Sequence, residues 1–483
     1  MKQKLPGSLP KVPTGINGLD EITGGGLPKG RPTLVCGSAG CGKTLFAIQF
    51  LAKGIQDHNE PGVFMSFEET KEDLGKNVMS LGIDLDQLIK EKKLRLDHVR
   101  IERSEIEETG EYDLEGLFIR LNHAIDSIGA KRVVLDTIES IFSGIENTTL
   151  LRAELRRLFQ WLRDKGVTVV ITGESGEKTL TRQGLEEYVS DCVILLDFRV
   201  IDQIATRRLR IVKYRGSTHG TNEYPFLIDE KGISVVPITS LKLEHKIYSD
   251  IISTGLPQLD ALFDKSGIYK GSSILVTGSA GTAKTMLASA FALAACKRKE
   301  RILYFSFEES PAQLVRNMRS VGINFEPYIR SKQMHIHSSR PSLQGLERHL
   351  LVLYKLIKEH NPQTVIVDPI SSLISIGSYG EVRDMLIRLI DLLKTNGINA
   401  FFTSLTRDEG NQEGNQTITA VSSLADIWIQ MKNEDSGFNW ARTLRIVKAR
   451  SLGHVTTPQF FTVTGKGILI QDQSVVNTVK QKL

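Results

Sequence analysis

The chain of 483 residues carries 61 Lys and Arg against 56 Asp and Glu, a formal net charge of +5, with 40% hydrophobic and 24% charged residues. This is the composition of an ordinary globular protein of several domains, and so mild an excess of positive charge does not argue for a nucleic-acid partner. No apolar run reaches membrane-spanning length, no signal-peptide pattern opens the chain, and the four cysteines lack metal or disulfide spacing, so a cytoplasmic location is expected.

In chain order, a predicted strand at 33–36 runs into Gly37-Ser38-Ala39-Gly40-Cys41-Gly42-Lys43-Thr44, which satisfies G-x-x-x-x-G-K-[ST] between a strand and a helix. The glycines let backbone N–H groups wrap phosphates, and the helix N-terminus adds a favourable dipole. Lys43 is expected on the β and γ phosphates of ATP and Thr44 on Mg²⁺. Cys41, at the start of a helix, is a candidate thiolate whose oxidation would block binding; a small residue that merely fits is the alternative. The next strand, 63–66, leads to Glu68 and Glu69. Paired acids at a strand end beside a phosphate suit general-base work, and strand neighbours point to opposite faces, so their roles should differ. The alternative is an acid serving the first turn of the following helix. A strand at 133–135 ends at Asp136, which fits the acid that holds a Mg²⁺ water. An amphipathic helix at 150–165 and a strand at 167–172 follow. Lys213 and Arg215 then alternate on one face of a terminal strand. They are either a solvated edge or a basic pair that meets the γ-phosphate of a neighbouring subunit, in the manner of an arginine finger.

The pattern then returns. "TGINGLDEI" at Thr14 reappears as "TGLPQLDAL" at Thr254, "VFMSFEET" at Val63 as "LYFSFEES" at Leu303, "VVLDTIESI" at Val133 as "VIVDPISSL" at Val365, and "LRIVKYR" at Leu209 as "LRIVKAR" at Leu444, with Lys43 matched by Lys284. Blocks recurring in one order over so long an interval are a tandem duplication, and they divide the chain into domains 1–243 and 244–483, joined by the polar stretch 237–253. The second half has predicted strands at 274–277, 303–306, 365–367 and 398–403 and a helix at 381–395. Apolar strands alternating with helices predict an α/β fold in each half, a mostly parallel sheet covered on both faces, with functional loops at the carboxyl ends of the strands. The second phosphate loop is Gly278-Ser279-Ala280-Gly281-Thr282-Ala283-Lys284-Thr285. Ala283 replaces a glycine; because it directly precedes the helix, helical backbone is expected there, with a methyl group as the only intrusion and weaker nucleotide binding retained. Glu308 and Glu309, Asp368, and Lys448 and Arg450 repeat the remaining candidates.

Together these residues resemble the KaiC family, duplicated RecA-like ATPases associated with bacterial circadian timing. The resemblance rests on "GLDEITGGGLPKGR", both phosphate loops, "PGVFMSFEET", "FSFEES", "VKYRGSTHG" and "EYPFLI", and it covers almost the whole chain. It implies two tandem RecA-like P-loop domains in a double-ring homohexamer, with ATP at subunit interfaces. Slow hydrolysis is implied in the first ring, Glu68 or Glu69 activating water. The second ring would be an autokinase and autophosphatase, Glu308 the base and Glu309 its companion. By this match Lys213, Arg215, Ser217 and His219, and then Lys448, Arg450 and His454, belong to ATP sites. Thr44 and Asp136, and Thr285, Glu308 and Asp368, belong to Mg²⁺. The phosphorylated pair falls at Ser422 and Ser423 in "TITAVSSLADIWI", where the family usually shows Ser-Thr, with Thr417 at a nearby regulatory position; a polar loop entering a strand is the alternative.

Departures from the family pattern are Ala283, "KARSLGHV" in place of a "RGS" segment, and a C-terminal segment, "GKGILIQDQSVVNTVKQKL", shorter than that of the family's clock members. The last argues against a KaiA-type activator and for constitutive phosphorylation. "EETGEYDLEGL", Glu107 to Leu117, resembles the loop that contacts KaiB, so a KaiB-like partner is expected; without a KaiA-type arm the expected output is an hourglass timer or stress signalling rather than a self-sustained oscillator. A DNA-binding RecA-like motor would need a basic channel loop with aromatics; "RVIDQIATRRLR" (199–210) and "LTRQG" (180–184) are thin candidates. An ATP-dependent assembly scaffold is the third reading.

Overall fold

The computed structural model describes residues 9–99, 115–142, 148–176, 179–181, 190–201, 204–237, 247–343, 345–406, 422–435 and 440–471. The chain divides into two compact units, Met1–Ser240 and Leu241–Leu483.

In the first unit the strands are β1 (Lys11–Val12), β2 (Leu27–Pro28), β3 (Pro32–Gly37), β4 (Gly62–Ser66), β5 (Leu94–His98), β6 (Arg132–Asp136), β7 (Thr168–Glu174), β8 (Cys192–Ile201), β9 (Ile204–Tyr214), β10 (Glu223–Asp229) and β11 (Gly232–Val235). β1 pairs with β2, and the other nine form one sheet in the order β11-β10-β9-β8-β3-β7-β6-β4-β5. Pairing is parallel from β8 to β5 and antiparallel from β8 to β11. Alternate residues of the central strands divide between two layers. Val35, Phe64, Val134 and Val170 pack in one core with the helix Lys43–His58. Leu34, Val63, Val133 and Val169 pack in another with the helices Glu115–Ile128 and Thr148–Asp164. Burial on both faces is why these strands read as unbroken apolar runs.

The second unit repeats the scheme with β12 (Ile251–Ile252), β13 (Ile268–Tyr269), β14 (Ser273–Gly278), β15 (Ile302–Ser306), β16 (Met334–Ser338), β17 (Thr364–Asp368), β18 (Asn399–Leu405), β19 (Ile427–Asp435), β20 (Trp440–Ala449), β21 (Gln459–Thr464) and β22 (Gly467–Ile470). Its nine-stranded sheet has the order β16-β15-β17-β18-β14-β19-β20-β21-β22, the first order read backwards. The repeated "TG…LD" blocks are turn locks. Asp20 accepts from the backbone N–H and hydroxyl of Thr14 at 2.9 and 2.7 Å, and Asp260 from those of Thr254 at 2.8 and 2.6 Å.

Two expectations need correction. Glu68 and Glu69 do not end a strand: β4 stops at Ser66 and both acids stand in the bend that follows, as do Glu308 and Glu309 after β15. Lys213 and Lys448 lie on β9 and β20, which are interior strands flanked on both sides rather than terminal ones.

Candidate active sites

Both phosphate loops turn from the carboxyl end of a central strand into a helix. A Cβ on Gly37 would lie 2.2 Å from the carbonyl oxygen of Leu196, and one on Gly278 2.4 Å from that of Met431, so only glycine passes at either place. Lys43 Nζ donates to the carbonyls of Gly37 and Ser38 at 2.9 and 3.0 Å, and Lys284 Nζ to those of Gly278 and Ser279 at 2.9 and 2.7 Å. Burial pushes the Lys284 ammonium below its usual range, with the negative charges of Asp368 and Glu308 opposing.

Ala283 is left-handed, φ 69° and ψ 28°, as Gly42 is at φ 107°, and not helical as expected. It is the cap residue outside the first helical residue, and cap positions have non-helical dihedrals. An alanine held there costs about 1–2 kcal/mol. Space is made for its methyl group. A Cβ on Gly42 would lie 2.9 Å from Ile228 Cδ1. The residue at the matching register in β21 is Val463, which has no δ carbon, and Ala283 packs against the core of its unit. Cys41 is fully buried, and burial pushes its thiol up, outweighing the nearby Lys43. The expectation of a stabilised thiolate is overturned, because loss of solvent exceeds the pull of the helix start.

Asp136 and Asp368 end β6 and β17 and are buried. One oxygen of each accepts a threonine hydroxyl from the adjacent strand, Thr172 for Asp136 and Thr403 for Asp368. Burial pushes the Asp136 carboxyl up, opposed by hydroxyls of Thr172 and Thr44. A hydroxyl and a carboxylate meeting in this way form the oxygen pair that Mg²⁺ takes alongside phosphate and water ligands, so the residues fit that ion.

The two glutamates of each pair face different neighbours. Glu68 Oε1 accepts at 2.7 Å from Thr137, just after Asp136, and at 2.8 Å from Ser140, in the short helix Ile138–Phe142 that follows. Glu308 Oε1 accepts at 3.0 Å from Ser372, in the matching 3-10 turn Ile370–Ser375, where Pro369 replaces Thr137. Glu69 accepts instead from Asn77 Nδ2 and Glu309 from Asn317 Nδ2, both at 3.1 Å, on the helices that follow. Reading the sequence missed Ser140 and Ser372, Asn77 and Asn317, and Thr172 and Thr403. Each recurs in both halves, which was the available signal.

The basic pairs stand at the other end of the sheet. Lys213 pairs with Val193, Arg215 N donates to Asp191 O at 2.8 Å, and Cys192 lies opposite Thr33 at the start of β3. Lys448 pairs with Trp428, which pairs with Leu275 near the start of β14. Thr33 is four strand steps from Gly37, about 13 Å at the usual rise, and Leu275 is three from Gly278, about 10 Å. In the second unit the serines are there too. Residues 422–424 form a helical turn, Ser422 buried and Ser423 exposed. Lys448 Nζ donates to the carbonyls of Ser422 and Ala425 at 2.7 and 2.8 Å, and Arg450 to that of Ser423. Asp426 then accepts from Ser273 N at 2.9 Å, which pins the turn to the foot of β14. Lys11 donates to Ser217 Oγ at 2.7 Å, His219 stacks on Tyr214, and His454 forms a bridge with Phe263. Thr417 and residues 107–114 of the KaiB-loop segment lie outside the described residues. Three of the arginines of segment 199–210 are engaged by side chains of the same sheet. Arg199 pairs with Asp197 and Glu223, Arg208 with Glu223, and Arg207 lies over the Phe198 ring.

Comparison with known proteins agrees with this duplicated architecture. The family described as "ATPase: KaiC" matches residues 12–240 and again 252–475. "Circadian clock protein KaiC2" of Synechocystis sp. (strain ATCC 27184 / PCC 6803 / Kazusa) is 53% identical over 95% of this chain and 81% of its own length. "Circadian clock oscillator protein KaiC" of Synechococcus elongatus is 37% identical over 96% of this chain and 90% of its own. Among the described residues no helix is long and apolar enough to cross a membrane.

Proposed function

Because the chain belongs to the KaiC family, and is on that ground an ATP-binding ATPase and autokinase, we propose that it works as a double-ring homohexamer with ATP between subunits. The first domain, 1–243, hydrolyses ATP; the second, 244–483, transfers phosphate to Ser422 and Ser423 of a neighbour. The observation that carries this reading is the distance between the two ends of one sheet. The foot of β14 at Ser273, where Asp426 pins the turn of Ser422 and Ser423, lies five strand steps from Gly278 and the loop of Lys284, about 17 Å, so one chain does not bring acceptor and phosphate loop together. A neighbour presenting its own cluster would supply acceptor hydroxyl and basic groups at once, as a head-to-tail ring does.

In this mechanism the loop N–H groups and Lys43 or Lys284 hold the phosphates. Thr44 with Asp136, and Thr285 with Asp368 and Glu308, would hold Mg²⁺, which neutralises phosphate charge when bound. In the first domain Glu68 takes a proton from the attacking water, and its two hydroxyl donors keep it aimed. In the second, Glu308 takes the proton of the serine hydroxyl; the serine oxygen bonds to the γ-phosphorus as the bond to ADP breaks. Glu69 and Glu309, tied to Asn77 and Asn317, position the loop. The trans groups Lys213, Arg215, Ser217 and His219, with Lys448, Arg450 and His454 in the second ring, offset charge on the neighbour's ATP. Two relatives named as circadian clock proteins support a timing or signalling output; a KaiB-like partner on the first ring and a cytoplasmic location complete the proposal.

Peptide mass spectrometry of the protein incubated with Mg²⁺ and ATP, beside Glu308→Gln, tests the reading. Phosphate on Ser422 or Ser423 that disappears in the variant, with phosphate release from ATP continuing, is the expected result. Steady hydrolysis with neither serine modified overturns the assignment of the acceptor site.

A further inference from the structure

Tyr304 is fully buried in β15, between β16 and β17. Its hydroxyl donates to Asp368 Oδ2 at 2.8 Å, while Thr403 donates to Oδ1. Both oxygens of this carboxylate therefore accept a bond from a side chain that is itself locked in the core, and the carboxylate cannot rotate. The first unit has Phe64 at the same register, paired with Val134 as Tyr304 is with Ile366. A phenyl ring has no donor to offer Asp136. The change has a companion on the covering helix. Ser289 stands beside the phenol oxygen, and the matching residue of the first unit, counted from the loop lysine, is Ile48. Two hydroxyls thus occupy a core that is apolar in the duplicate. A buried hydroxyl is unfavourable unless a partner compensates it, and the partner here is the acid at the strand end.

We infer that Tyr304 is a positioning residue of the second nucleotide site alone, fixing Asp368 so that its remaining lone pairs face the loop of Lys284 and Thr285. The inference rests on the reading of Asp368 as the acid that serves Mg²⁺. Outer partners of a metal-binding carboxylate orient it, and their loss weakens metal binding about 10–100-fold.

The test uses the whole protein with a non-hydrolysable ATP analogue and Mn²⁺ as a spectroscopic probe, bound ion being counted by electron paramagnetic resonance. Two classes of Mn²⁺ site are expected, one abolished by Asp136→Asn and the other by Asp368→Asn. Tyr304→Phe should weaken the class that depends on Asp368 about tenfold, leave the other within twofold, and keep the number of sites. Ser289→Ala, which spares the bond to Asp368, should leave both classes near wild type and serves as the folding control. A lower unfolding midpoint in Tyr304→Phe with unchanged Mn²⁺ affinity makes the hydroxyl merely structural and overturns the inference. If Asp368→Asn removes no class of site, the reading of Asp368 falls first and the inference falls with it.

Discussion

At Cys41 two effects oppose each other: the start of a helix favours a thiolate, and complete burial disfavours it. Burial wins, so Cys41 should be inert. In the folded protein without nucleotide, its alkylation by iodoacetamide should be at least tenfold slower than in urea, followed by peptide mass spectrometry. Labelling as fast as in the unfolded chain would restore the redox idea. Arg132 is a second case in which the environment decides. Its side chain is 0% exposed, donates to Glu60 at 2.7 Å and to the Phe50 carbonyl at 2.8 Å, and lies over the Phe50 ring. The second unit solves the same corner differently: Thr364, at the matching strand position, donates to Glu300 at 2.8 Å, and the cation of Glu300 is Arg298, at 2.8 Å, just past the end of the helix Lys284–Lys297. Arg132→Ala removes the buried partner of an ion pair whose acid, Glu60, stays 30% exposed and can be rehydrated, so it should cost up to about 3 kcal/mol in urea unfolding of the first unit. Thr364→Ala should cost the second about 1 kcal/mol. Because Arg132 begins the strand that ends at Asp136, the first variant should also weaken nucleotide binding.

The phosphate loops show how one element constrains another. Gly42 is matched to Ile228 and Ala283 to Val463, and the pairs cannot be exchanged singly. Gly42→Ala meets both the left-handed penalty of about 1–2 kcal/mol and the contact with Ile228. It should lower the unfolding midpoint of the first unit and its nucleotide affinity, and Ile228→Val in the same chain should recover part of the loss. Ala283→Gly should change the stability of the second unit by less than about 1 kcal/mol, since relief of strain is offset by the greater freedom of the unfolded chain. The loop itself was legible in the sequence because glycine spacing is a local property. The dihedral of Ala283 was not, because a residue that precedes a helix can be read as its first turn or as its cap. The side-chain partner that makes room for the methyl group lies 180 residues downstream (463 − 283).

For the whole molecule, the division of the second sheet into a nucleotide end and an acceptor end predicts transfer between subunits. A chain with Glu308→Gln and intact serines should remain unphosphorylated alone. Mixed with a chain carrying Ser422→Ala and Ser423→Ala and an intact Glu308, it should acquire phosphate, read by mass-tagged peptides. Phosphorylation that depends on the glutamate of the same chain would contradict the separation along β14. The sequence by itself determined the duplication, the alternation of strands and helices, both phosphate loops and the identity of the acids, since each is a pattern of residue types at short spacing. Only the tertiary structure decided that Glu68 and Glu308 turn to the segments after the strand-end acids while Glu69 and Glu309 turn to Asn77 and Asn317, and that Cys41 is sealed. It alone showed that Tyr304 reaches Asp368 and that Lys448 and Arg450 hold the backbone of Ser422 and Ser423 far from their own phosphate loop. Those outcomes depend on strand order, which joins residues distant in the chain, and on desolvation, which no local pattern encodes.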